Sequence, residues 1–298
     1  MVSAPARRQQ VKYARGRGLS SRGACALMNV SRSALNYQPL QPAKDAPALA
    51  VMRELSAQYP RFGYRRIGVY MERAGHPMSW DRTHRLWKLA GLQVPRKRPR
   101  KLIARQRPRP LPATGPNQMW AYDFVFDACA NGQHLKCLTI IDEWTRESLQ
   151  IDVQGSIRSG HVIEVLSRLI SIHGAPRYLR SDNGPEFVSR AVLKWLHQAG
   201  IDTALIDPGK PWQNGSDESF NGKFRDECLS MEWFRTRAEA KVVIELWRQH
   251  YNADRPHSSL GYLTPLMFKQ QDPEQQNKIL QKQQRKQNPS TNPGATLN

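Results

Sequence analysis

The chain has 298 residues, 39% hydrophobic and 23% charged, room for two core-bearing domains, with no apolar run near the ~18 residues of a membrane span and no apolar signal segment in MVSAPARRQQ. Cys25, Cys129, Cys137 and Cys228 lie far apart without a Cys-x-x-Cys pair, which argues against a disulfide framework or cysteine zinc site and fits a reducing cytoplasm. The formal charge of +20 is segregated, with 24 basic and 4 acidic residues in 1–110 and a balance of 21 and 21 in 111–298.

Such segregation points to a polyanion, because each neutralised phosphate releases counterions. The alternative is a basic face that is merely solvated. The first third reads as two helical modules. In residues 1–45, Ser20 or Ser21 caps a short helix ending near Leu27, a turn follows at Met28-Asn29-Val30, and Ser31 caps a second helix with Arg32, Ser33, Asn36 and Tyr37. This matches a helix-turn-helix, whose second helix enters the major groove and makes Arg32 a DNA candidate, although an ordinary helical hairpin shares the pattern. In residues 46–93, Ala48–Tyr59 carries an apolar stripe, and Tyr64–Ala74 turns Ile67, Tyr70 and Met71 inward and Arg65 and Arg66 outward. Gly75 and Pro77 break that helix, and Ser79 caps a third with Trp80, Leu86 and Trp87. The tryptophans read as core, and Arg65 and Arg66 as the DNA contacts.

Residues 94–112 hold eight basic side chains, Arg96, Lys97 and Arg98 among them, and five prolines. Proline bars a packed helix or sheet centre, so this is an extended connector, either tracking a phosphate backbone or acting as a passive linker. From Gln118 the texture becomes α/β. Gln118–Ala128 alternates Trp120, Tyr122, Phe124 and Phe126 with Ala121, Asp123, Val125 and Asp127. Asn131-Gly132 signals a hairpin into a strand at His134–Ile141, and Ser148–Val153 makes a third. An amphipathic helix at Ser159–His173, a strand at Arg177–Ser181, a helix at Pro185–Ala199, a strand at Thr203–Ile206 and further helices follow. The expected class is α/β, a mixed sheet flanked by helices over residues 113–268. Residues 269–298 are rich in glutamine and read as a frayed helix or disordered tail.

Three acids stand out. Asp123 lies mid-strand between Ala121 and Val125, where a charge is costly unless paired or bound to a cation. Asp182 ends a strand before Asn183-Gly184, and Glu218 opens a helix after Ser216, a candidate N-cap. Oxygen-only donors favour Mg²⁺ or Mn²⁺, and two such ions about 3.5–4 Å apart suit an in-line phosphoryl displacement. Each acid also has an ordinary reading, as a surface strand position, a turn former or a helix-dipole residue.

The words around these acids are more specific. Trp120-Ala-Tyr-Asp123-Phe, Ser181-Asp182-Asn-Gly-Pro-Glu-Phe187, Asn214-Gly-Ser-Asp-Glu218-Ser-Phe-Asn-Gly-Lys-Phe-Arg-Asp-Glu-Cys-Leu229 and Arg255-Pro-His-Ser-Ser-Leu-Gly-Tyr-Leu-Thr-Pro265 resemble the integrase-core transposases of bacterial insertion sequences over roughly residues 115–268. The resemblance implies a ribonuclease-H-like fold, with Asp123, Asp182 and Glu218 as metal-binding catalytic acids. It also implies a basic residue seven places after the glutamate, Arg225, about two helical turns on and on the same face. The chain resembles second-reading-frame components, which work with a first-frame partner that supplies end-specific DNA binding and oligomerisation. A homo-oligomer synapsing two ends, and a cytoplasmic, nucleoid-associated location, follow from the same likeness.

Asp217 is a rival to Glu218, but one residue rotates a helical side chain by about 100°, so both do not face the same ions, and Glu218 is favoured. Glu186 is a candidate neighbour of the site or a helix-terminal acid. Lys210, Trp212 and Gln213 are candidate DNA contacts or turn residues, and His257 reads as orienting helices rather than reacting. No His-His-Cys-Cys zinc pattern occurs. A non-catalytic DNA-binding protein and a metal-dependent nuclease without joining activity are the alternative readings.

Overall fold

The computed structural model describes residues 3–35, 37, 40–95, 112–181, 189–204 and 215–287. Asn36, Arg96, Lys97, Arg98, Asp182, Glu186, Lys210, Trp212 and Gln213 lie outside them. The chain divides into two compact units, Met1–Pro60 with Tyr70–Gln93, and Arg61–Val69 with Val94–Asn298. The first helical module therefore lies in one unit, and the second is divided, its Arg61–Val69 stretch belonging to the other unit.

The first unit opens with α1 (Ala4–Gly16), which the sequence pattern did not mark because only Val11 and Ala14 of its face are buried. Ser20 and Ser31 cap α2 (Ser21–Leu27) and α3 (Arg32–Leu35), accepting from Gly23 N at 3.1 Å and Ala34 N at 3.2 Å, and the turn between them carries Asn29 at φ 50°. Val11, Ala24, Cys25 and Leu35 form the shared core. Helix α4 (Gln41–Gln58) starts earlier than its apolar stripe indicates. Asp45, buried near that start, accepts from Gln41 of α4 and from Arg82 and Arg85 of α6 (Trp80–Leu89), both arginines at 2.8 Å. Ser79 caps α6 as expected. Trp87 is core, but Trp80 is 46% exposed, because it occupies the first helical position beyond the last covered turn. Helix α5 (Tyr64–Arg73) buries Ile67, Tyr70 and Met71, as its spacing predicts.

The second unit is built on a sheet in the order β3-β2-β1-β4-β5. Strands β1 (Met119–Ala128), β2 (His134–Asp142) and β3 (Ser148–Gln154) are antiparallel neighbours; β4 (Tyr178–Arg180) and β5 (Asp202–Thr203) run parallel to β1. The Asn131-Gly132 hairpin joins β1 to β2, with Gly132 at φ 80° where a side chain would be strained. Period-two alternation sends the two faces of β1 into different cores. Trp120 and Tyr122 pack with Leu138 and Ile140 against α7 (Ser159–His173) and α8 (Arg190–Gln198). Ala121 and Val125 pack with Cys137 and Ile141 against α9 (Gly215–Phe224) and α10 (Arg237–Ala253). Each fully buried Leu or Ile adds about 1.5–3 kcal/mol to these layers. Cys25 is buried in the first unit, and Cys129, Cys137 and Cys228 in the second, all unpaired as expected.

The C-terminal part is held by polar contacts. After α11 (Pro265–Lys269), residues 273–287 take the helical one of the two readings, as α12 (Pro273–Gln287), and residues 288–298 lie outside the described residues. Gln276 is 3% exposed, accepts from Trp144 Nε1 at 2.8 Å and donates to the Phe268 and Gln271 carbonyls at 3.2 and 3.0 Å. A satisfied amide thus does the anchoring that composition assigns to apolar residues. Gly261, at φ 68°, leaves room for Ile279 of this helix, which a Cβ would approach to 3.3 Å. Among the described residues no helix is long and apolar enough to cross a membrane.

Candidate active site

Asp123 sits at the middle of the central strand, half-buried on the face that meets α9. Its Oδ1 accepts from the Phe124 amide at 2.7 Å, and its Oδ2 accepts from Asn221 Nδ2 of α9 at 2.8 Å. Thr139, the register partner of Asp123 on β2, holds its hydroxyl 3.1 Å from both the Asp123 carbonyl and Asn221 Oδ1. A three-residue polar link therefore ties α9 to the two central strands in an otherwise apolar layer. Sequence reading missed Asn221 and Thr139; the available signal was Asn221 standing three residues after Glu218, hence on the same helical face.

Glu218 lies in the first turn of α9 and is exposed, one turn before Asn221. Asp217 is fully buried, so the two adjacent acids face different surroundings, as the rotation between them requires. The helix begins at Gly215, so Ser216 is inside its first turn and not its N-cap; its hydroxyl accepts from Arg146 Nη1 at 2.7 Å. Arg225 begins the π-helical turn Arg225–Leu229 and is exposed, donating to the Phe126 carbonyl at 3.3 Å at the end of β1. Widened turns of this kind recur at functional sites.

The donor set is carboxylate oxygen, which suits a hard cation. Among the described residues no three His, Cys, Asp or Glu side chains gather around one point, Asp182 being outside them.

The remaining candidates separate by burial. Arg32 and Arg65 are exposed. Arg66 is partly buried rather than fully outward: its Nη1 stands 3.4 Å from Glu227 Oε1, and burial, with Arg255 alongside, pushes its guanidinium down to about 10. Glu227 is also held by Arg255 through two 2.5 Å bonds. His257 is buried, donates from Nε2 to the Tyr251 carbonyl at 3.3 Å and meets that ring edge-on at 4.5 Å. Burial and the nearby Arg255 hold it well below the usual histidine range. It orients structure, as expected.

Residues 113–211 and 199–265 match two family models, each described as Integrase core domain, and residues 42–100 match one described as HTH-like domain. The latter falls on the second helical module rather than on Leu19–Tyr37. The putative transposase InsK for insertion sequence element IS150 of Escherichia coli is 26% identical over 223 residues, covering 71% of this chain and 78% of that protein. The insertion element IS407 31.7 kDa protein of Burkholderia multivorans is 44% identical over 250 residues, covering 84% of this chain and 90% of that protein. The chain belongs to the integrase-core transposases of bacterial insertion sequences. Its core has the ribonuclease-H-like arrangement, a five-stranded mixed sheet with helices on both faces. The HTLV-2 integrase catalytic core domain in complex with magnesium is similar at 17% identity, covering 51% of this chain and 95% of that one, with a TM-score of 0.39.

Proposed function

We propose that this transposase cuts DNA at the ends of its element and transfers the freed 3′-hydroxyl into another phosphodiester. Asp123, Asp182 and Glu218 would hold two Mg²⁺ or Mn²⁺ ions. The observation that carries this reading is the Asn221–Asp123 hydrogen bond, which brings the Glu218 face of α9 to the central-strand aspartate. Two such ions, when bound, activate the attacking oxygen and stabilise the leaving one.

The chain's own groups do the rest. Asn221 and the Phe124 amide fix the Asp123 carboxylate in one rotamer, so that it is oriented before substrate arrives. Arg225, on the Glu218 face, takes a phosphate of the bound strand. Arg32 and Arg65, with Arg96, Lys97, Arg98 and Lys210, supply further backbone contacts. The protein acts as the second-reading-frame component beside a first-frame partner, as a homo-oligomer on paired ends, in the cytoplasm at the nucleoid.

The test is a cleavage-and-joining assay on the element's terminal repeats with Mg²⁺. Asp123→Asn, Asp182→Asn and Glu218→Gln should each abolish both steps while leaving DNA binding in place. Joining at the wild-type level in any of the three would sink the assignment, and cleavage without joining in the wild type would make the protein a nuclease.

A further inference from the structure

On the side of α9 opposite Glu218 lies a cavity of about 130 Å³ between the helix and the Arg255–Pro265 segment. Arg146, Ser216, Ser219, Lys223, His257 and Ser259 line it. Residues 216, 219 and 223 share one helical face and residues 218, 221 and 225 the other, so the cavity is separate from the acidic site.

We propose that this cavity is an oxyanion site that seats one phosphate group between Lys223 and Arg146. Its volume suits a tetrahedral anion and not a whole nucleotide. Lys223 Nζ donates to the Ser219 hydroxyl at 2.8 Å and carbonyl at 3.0 Å, two neutral acceptors that leave its charge uncompensated by them. Arg146, from the β2–β3 turn, donates from Nη1 to the Ser216 hydroxyl at 2.7 Å and so reaches the first turn of α9, the positive end of that helix. Ser219 is exposed, so the cavity is reached from solvent.

The field inside is cationic. Burial, then the charges of Arg255 and Arg146, push Lys223 down to about 7, with Glu227 opposing and Arg66 reinforcing them. Burial, then the charges of Arg255 and Lys223, likewise push the His257 imidazole well below its usual range. An oxyanion would reverse this repulsion and give Lys223 a charged partner beside its two neutral ones.

The phosphate comes from a DNA strand or from solution, and only the first source rests on the proposed action on DNA. The experiment uses the full chain without divalent metal, so it does not depend on cleavage. Thermal unfolding is followed in inorganic phosphate against chloride at equal ionic strength, and duplex binding is followed as salt rises. Phosphate should raise the wild-type Tm above chloride; Lys223→Gln should lose that rise, Lys223→Arg should keep it, and Ser219→Ala should reduce it if the glutamine variant fails to fold. If the phosphate is DNA's, Lys223→Gln also flattens the salt slope of binding by about 0.9. Loss of the Tm response with an unchanged slope supports the site and assigns it to free phosphate. A wild type with no phosphate response and a Lys223→Gln slope equal to its own would overturn the site, as would a folded Lys223→Gln protein that keeps the full response.

Discussion

Asn221 illustrates what a single side chain contributes. Its amide engages one oxygen of Asp123 while the Phe124 amide engages the other, so the carboxylate has no freedom to turn away from α9. Asn221→Ala should lower metal-dependent cleavage about 10- to 100-fold and raise the Mg²⁺ concentration needed for half-activity, with little change in duplex affinity. An unchanged metal requirement would show that Asp123 is positioned without it. Asp45 is the corresponding residue in the helical unit. Hydrogen bonds from Arg85 and Arg82, acting against burial, hold its carboxyl below the usual range. A carboxyl lowered on folding adds stability above its unfolded pKa, and that contribution disappears as pH falls through the folded value. Asp45→Asn should therefore melt below the wild type at pH 7, and the gap should narrow near pH 3. Alternation and helix phase gave the strand and first-turn positions of Asp123 and Glu218, while their proposed roles came from the family resemblance; Asn221 was not legible, because a polar helical residue looks solvated until the opposing strand is known.

At the scale of elements, strands β1 to β3 and helix α7 follow from period-two and 3.6-residue patterns, since each buries one apolar face. Helix α12 and the Arg66–Glu227–Arg255 cluster do not, because they are anchored by polar groups whose partners are distant in sequence. Glu227→Ala should be among the more damaging single changes outside the apolar cores. It leaves Arg255, 1% exposed, as a buried charge without its carboxylate, which costs about 3–5 kcal/mol. Urea unfolding of the full chain measures this, and a loss below about 1 kcal/mol would mean that the pair is no better than a surface ion pair. The turn at Arg255–Pro265, one of the segments that carry the family resemblance, thus has a structural role: Arg255, His257, Leu260 and Thr264 are all buried.

For the whole molecule, the decisive property is where the charge lies. The net +20 belongs to residues 1–110, and the remainder carries none. Duplex affinity should fall steeply as salt rises, and neutralising Arg96, Lys97 and Arg98 together should reduce the slope by about 0.9 for each phosphate that is no longer paired with a cation. An unchanged slope would make that stretch a passive tether. This property was fully readable from the sequence, because a sum of charges needs no fold.

The buried cysteines carry a different consequence. Burial raises the Cys137 thiol to about 12 and lifts Cys228 and Cys129 as well, so little nucleophilic thiolate is present while the core is closed. Alkylation therefore has to wait for local opening, and the four sulfurs become internal clocks: Cys25 times the breathing of the helical unit, the other three that of the sheet.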